Sequence, residues 1–108
     1  MERKTEKRGS LRGLINAIVK GKIQNDFFFS ISQNISASGI LLETDRILRP
    51  GDNITCSFVL QHEITAHGEI VRAARKTSNL YNYGVRFTHL DPKSKAEIEA
   101  VLNSQIKH

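Results

Sequence analysis

The chain has one cysteine, Cys56, and with no second thiol there is neither an internal disulfide nor a cysteine-based metal site. A reduced, cytosolic setting is the default that follows. Long apolar runs are also missing. The longest, Phe27–Phe28–Phe29 and Gly39–Ile40–Leu41–Leu42, fall far short of the ~20 residues of a membrane span. The opening, Met1 to Arg8, is charged and leads into no apolar stretch, so it does not read as a secretory signal. Neither an internal repeat nor a low-complexity segment appears. What is present, 39% hydrophobic and 25% charged residues over 108 positions, suits one soluble domain with one core.

The formal charge is +5, and its distribution matters more than its size. Within residues 1–12, Arg3, Lys4, Lys7, Arg8 and Arg12 face only Glu2 and Glu6, whereas the stretch from Asp91 onward is balanced. Residues 1–13 therefore read as a flexible basic arm and 14–106 as the folded body. Such an arm suits a phosphate-bearing partner, a nucleotide, a nucleic acid or a lipid headgroup, although a solvated tail would carry the same charge.

After the arm, short β-rich segments alternate with turns. Leu14–Val19 reads as a strand ending at the turn Lys20–Gly21–Lys22. In the next strand Phe27, Phe29 and Ile31 alternate with Phe28, Ser30 and Ser32, which predicts the first three on the core face. Ile40–Thr44 follows the small-residue turn 36–39. The turn Pro50–Gly51–Asp52 precedes a strand whose Ile54, Cys56, Phe58 and Leu60 face inward. Ile64–Arg75 is the fifth strand, with Gly68 a candidate bulge or close approach, and Tyr83–Thr88 the sixth. The period then changes. Asp91–Pro92 reads as an N-cap with proline at the first helical position, and Ile98, Val101, Leu102, Gln105 and Ile106 form one stripe. The expectation is an all-β, six-stranded antiparallel barrel with one opening covered by a C-terminal helix.

Most chemical sites can be set aside. His62 and His67 fall on opposite faces of a regular strand, without carboxylate or thiol company. Cys56 shares the apolar face of Ile54 and Phe58, so it reads as a buried structural thiol. No Ser/His/Asp set, phosphate-cradling loop or carboxylate pair stands out, and the chain is not expected to be an enzyme. Two motifs remain. Arg8-Gly-Ser-Leu-Arg12 places two arginines four apart, on one side of a helix or a strand, where their forks can take phosphate oxygens or a guanine edge. Asn34-Ile-Ser-Ala-Ser-Gly39 offers the uncharged hydrogen-bonding groups of Asn34 and Ser36, with Gly39 permitting a positive φ or close approach.

In this order the two motifs resemble the signature of the PilZ domain, RxxxR followed by (D/N)xSxxG, matched at Arg8, Arg12, Asn34, Ser36 and Gly39. The similarity extends through Leu48–Gly51, Ala66–Val71, Tyr83–Phe87 and the terminal helix. It implies the bacterial cyclic di-GMP receptor fold, a six-stranded barrel with a terminal helix. It also implies roles: Arg8 and Arg12 as a clamp on guanine edges and phosphates, Asn34 and Ser36 as a polar floor, and Gly39 shaping the turn. Lys7 lies where the family modulates ligand stoichiometry. Asn34 stands where Asp is commoner; it gives up a charge-assisted bond but also a negative charge facing a dianion. The function expected is a cytoplasmic, non-enzymatic cyclic di-GMP receptor without a cofactor, an adaptor acting alone because 108 residues leave no room for an output domain. It would order its arm on binding and signal to an unidentified downstream protein, as a monomer or ligand-linked dimer. The alternatives are a basic barrel binding RNA or single-stranded DNA, disfavoured because the aromatics fall on core phases, and a PilZ relative acting as a protein-interaction adaptor without ligand.

Overall fold

The computed structural model describes residues 12–13 and 15–106. Seven strands, β1 (Arg12–Gly13), β2 (Ile18–Ile23), β3 (Asp26–Ser36), β4 (Gly39–Thr44), β5 (Asn53–Val59), β6 (Glu63–Arg75) and β7 (Tyr81–Leu90), precede one helix, α1 (Pro92–Ile106). All pairings are antiparallel, in the order β3–β2–β5–β6–β7–β4, and β4 returns to β3. The sheet is thus a closed six-stranded barrel, with the two-residue β1 added beside the C-terminal end of β3. Closure leaves no edge along the six strands for another chain to extend.

The barrel is filled from alternate positions. Ile54, Cys56 and Phe58 of β5 and Ile64, Ala66 and Ile70 of β6 are all buried, as their alternation predicts. Burial pushes the Cys56 thiol up to about 12, which leaves it protonated and unreactive. Gly68 sits at a shift in the β6–β7 register, and a Cβ there would stand 2.6 Å from Val85 Cγ1. The Tyr83 hydroxyl donates to Arg46 O and accepts from Leu48 N, both at 2.8 Å, tying the β4–β5 loop to the wall. Asp91 caps α1 through Lys93 N at 3.3 Å, and Ile98 and Leu102 are buried where the helix meets the barrel. Gln105, the polar member of the stripe, is exposed.

Two expectations are corrected at the β2–β3 hairpin. The strand predicted over Leu14–Val19 runs instead from Ile18 through Gly21 to Ile23, and the turn is Gln24–Asn25, with Gln24 at φ 55°. The facing of β3 is also the reverse of the prediction. Phe28, Ser30 and Ser32 are buried, whereas Phe27 is 54%, Phe29 67% and Ile31 50% exposed. Gly21 explains the choice: it lies opposite Phe28, and a Cβ there would stand 2.4 Å from Phe28 Cζ. The glycine is therefore space for an inward ring rather than a turn. The inward serines are satisfied locally, which removes the penalty of burying them. Ser30 Oγ donates to Val19 O at 3.2 Å, while Ser32 Oγ accepts from Ala17 N at 2.8 Å and donates to Ile15 O.

The helix is fastened by a carboxylate. Glu97 accepts hydrogen bonds from His62 N and Gln61 N, both at 2.7 Å, and meets His62 Nδ1 at 3.2 Å. His62 therefore lies in the β5–β6 turn rather than on a strand. The His62 backbone bond foremost, with the Gln61 and His62 side-chain contacts, holds the Glu97 carboxyl below its ordinary value. A depressed carboxyl contributes stability above its unfolded value and loses it as pH falls through the folded one.

Two outcomes follow. Phe28→Ala should cost about 3–5 kcal/mol in urea unfolding and Phe29→Ala less than about 1, which tests the facing of β3 directly. Glu97→Gln should lower the melting temperature at neutral pH and show a smaller fall than the unchanged protein as pH drops through and below the ordinary glutamate range.

Candidate functional site

The segment that carries the second arginine is held at three places. Asn16 Nδ2 donates to Ser32 O at 3.0 Å, and Ser32 N donates to Ala17 O at 2.9 Å, beside the two bonds of the Ser32 hydroxyl. Residues 15–17 are thereby strapped to the middle of β3. Upstream, Arg12 pairs with Ser36 and Gly13 with Ile35. Gly13 is pressed against α1: a Cβ there would stand 2.4 Å from Leu102 Cδ2 and 2.5 Å from Gln105 Oε1. Its lack of a side chain serves close packing. The boundary between arm and barrel also moves, since Arg12 and Gly13, placed in the arm by the sequence reading, belong to the sheet. Lys7 and Arg8 lie outside the described residues.

The second motif forms the β3–β4 connection. Ser36 is fully buried, and its hydroxyl accepts from Ser38 N at 3.1 Å and Gly39 N at 3.2 Å, with Ser38 Oγ at 3.0 Å. A serine closing a turn on its own backbone in this way replaces two bonds that solvent would otherwise supply. The turn is tied to β7 by Phe87 N, which donates to Ser38 O at 2.9 Å. Gly39 pairs with Arg86, and a Cβ there would stand 2.3 Å from Val85 O. The close approach at Gly39 is thus to a strand of the barrel. Asn34 follows a shift in the β3–β4 register after Ser32, which sets it on the wall of a cavity of about 340 Å³.

That cavity adds cationic residues that the sequence reading did not select. Its lining includes Asn34, Ser38, Gly39 and Leu41 on one side and Arg72 and Arg86 on the other. Arg72 pairs with Gly84 and lies across it: a Cβ at Gly84 would stand 3.5 Å from Arg72 Cβ, Nε and Nη2. Arg86 Nη2 donates to Glu69 Oε1 at 2.7 Å. A smaller adjoining cavity of about 230 Å³ shares Leu41, Arg72 and Gly84, and Asn82 also lines it. Asn82 Oδ1 is buried with no hydrogen-bond partner among the described residues. Isolated arginines on a long strand carry no sequence signal; only the pairing of β6 and β7 beside β4 collects them. Chemically the face offers guanidinium groups, an amide and a carbonyl acceptor around an open hollow, suited to a flat anion with polar edges.

Compared with known families, residues 3–104 match the model of the PilZ domain. The chain belongs to the PilZ family. Among solved structures, the Bacillus subtilis inhibitor of motility (MotI/DgrA) superposes with a TM-score of 0.80 at 15% identity, over 97% of this chain and 52% of that one. The chain thus spans about half the length of that relative. The PilZ domain of Escherichia coli YcgR, solved with c-di-GMP, gives 0.66 at 12% identity, covering 88% of this chain and 86% of that one. The PilZ domain of CeSA from a cellulose-synthesizing bacterium gives 0.62 at 11% identity, with 87% and 96% covered. At these identities the likeness establishes the fold. Comparison with curated proteins finds no match. PilZ domains are binding and adaptor modules rather than enzymes. Among the described residues, no helix is long and apolar enough to cross a membrane.

The role of Ser36 in this PilZ domain can be separated from ligand contact. Ser36→Ala should destabilise the protein by about 1–3 kcal/mol without any ligand, because Ser38 N and Gly39 N lose their acceptor. Chemical denaturation of the two proteins reads this directly.

Proposed function

We propose that this PilZ domain binds cyclic di-GMP on the face between the β3–β4 turn and strands β6 and β7, and serves as an adaptor whose ligand-bound surface is read by another protein. The observation that carries the reading is the pairing of Arg12 with Ser36. It brings the second arginine position of RxxxR beside the turn of (D/N)xSxxG, two motifs separated by 21 residues of chain. Arg8, four residues upstream, completes the clamp, and Lys7 stands next to it.

Asn34 and Gly39 then belong to the floor, with Ser36 acting through the turn it closes. Arg72 and Arg86 supply two further cations for a ligand with two phosphates, and Asn82 Oδ1 is an acceptor suited to a guanine N–H. An amide at position 34 removes one carboxylate that would oppose the dianion, while Glu69 stays bound to Arg86. Binding orders residues 1–11 over this face. Their ordering costs on the order of 1–2 kcal/mol of backbone entropy per residue, so several charge-assisted bonds must form together. That the YcgR PilZ domain was solved with this ligand supports the choice.

Calorimetry tests the proposal. Cyclic di-GMP should bind at low-micromolar Kd or tighter, with GTP and cyclic AMP far weaker. Arg8→Ala and Arg12→Ala should each cost about 2–4 kcal/mol of binding, against less than about 0.5 for Lys93→Ala on α1. Equal affinity for cyclic di-GMP and GTP, or full affinity after removal of residues 1–11, would overturn it.

A further inference from the structure

The outer face of the β2–β3 hairpin is unlike the rest of the barrel. Phe27, Phe29 and Ile31 project outward along β3, and Lys22, Lys20 and Ile18 stand opposite them in that order on β2. Val59, 62% exposed, lies two positions along β5 from the Ser57 that pairs with Lys20. Five large apolar side chains, each at least half exposed, therefore share one surface. A contiguous patch of this kind marks a contact with something else.

Its charge selects what that is. The Lys20 ammonium stands 4.6 Å and the Lys22 ammonium 5.5 Å from the centre of the Phe27 ring. Two of the three carboxylates paired beside the patch are already matched. Asp26 meets Arg46 at 3.1 Å, and Glu43, beside Ile31, meets Lys76 at 2.8 Å. Glu63, opposite Val59, marks the far rim. The patch is thus apolar with two cations at its middle.

We infer that this face docks on an anionic phospholipid surface, with Phe27, Phe29, Ile18 and Ile31 entering the interfacial layer and Lys20 and Lys22 reaching the phosphates. Lysines whose stems lie along apolar side chains while their heads reach outward are suited to a headgroup layer. Three other occupants fit less well. Lysine is depleted from the cores of protein–protein interfaces, yet here it stands among the apolar groups. A second copy docked through the same face would set Lys20 and Lys22 against themselves. A single-stranded nucleic acid stacks on open rings, whereas Ile18, Ile31 and Val59 have none and Phe27 is flanked by two ammonium groups. None of the residues of this face lines the cavity of Arg72 and Arg86, so the inference does not rest on the proposed ligand.

The test uses the full chain and vesicles of phosphatidylcholine with about 30% phosphatidylglycerol, against phosphatidylcholine alone, at about 0.1 M salt. Flotation should show association with the anionic vesicles only. K20Q and K22Q should each weaken it about fivefold, and F29S more than about tenfold, with melting temperatures unchanged. The chain has no tryptophan, so F29W introduces a single indole, and its emission should shift to the blue on anionic vesicles. Lack of association overturns the inference. So does association that K20Q, K22Q and F29S leave intact, because the basic residues of 1–12 would then be holding the membrane. An F29W response to a single-stranded oligonucleotide or to an acidic protein, but not to vesicles, overturns it equally.

Discussion

Ser32 uses its hydroxyl and both backbone groups to hold residues 15–17 against the middle of β3, and the arrangement of the candidate site depends on that strap. A serine can point inward here because each of its polar atoms finds a partner; an unsatisfied hydroxyl in the same place would cost more than the bonds return. With the strap made, the chain just upstream lies beside the C-terminal end of β3. Arg12 and Gly13 then pair with Ser36 and Ile35, and Gly13 fits beneath α1 because it has no side chain to meet Leu102.

The same strand has two faces with separate consequences. Inward, Phe28 lies over Gly21 and the serines bond to the neighbouring segment. Outward, the phenylalanines and Ile31 that this leaves on the surface build an apolar face beside two lysines. Near its C-terminal end the register shift after Ser32 sets Asn34 on the cavity wall and leaves Ile35 and Ser36 buried. A single strand thereby contributes to two surfaces, one lining the cavity proposed for the ligand and the other suited to a boundary between water and lipid.

Much of the fold was legible because its signals were redundant. The alternation in Ile54–Phe58 had one apolar phase only, the Pro50–Gly51–Asp52 turn was marked three times over, and the Asp91–Pro92 start of the helix carried both a cap and a proline. The β2–β3 hairpin lacked such redundancy. Three consecutive phenylalanines support either facing, and hydropathy favoured the one with more apolar residues. The inward serines are acceptable only because Val19, Ile15 and Ala17 provide partners from 11 to 17 residues away. Lys20-Gly21-Lys22 likewise reads as a turn until the glycine is seen opposite an inward ring.

The sequence alone determined the family, the barrel with its terminal helix, the buried thiol and the two motifs, since each is written in local order, spacing or an unambiguous period. Tertiary structure alone decided that Arg12 stands beside Ser36, that Ser36 spends its hydroxyl on its own turn, and that Arg72, Arg86 and Asn82 gather around the cavities. It also decided which side of β3 meets solvent. Each of these follows from pairing between strands far apart in the chain, and no local pattern encodes which partner will satisfy a buried polar group or leave room for a ring.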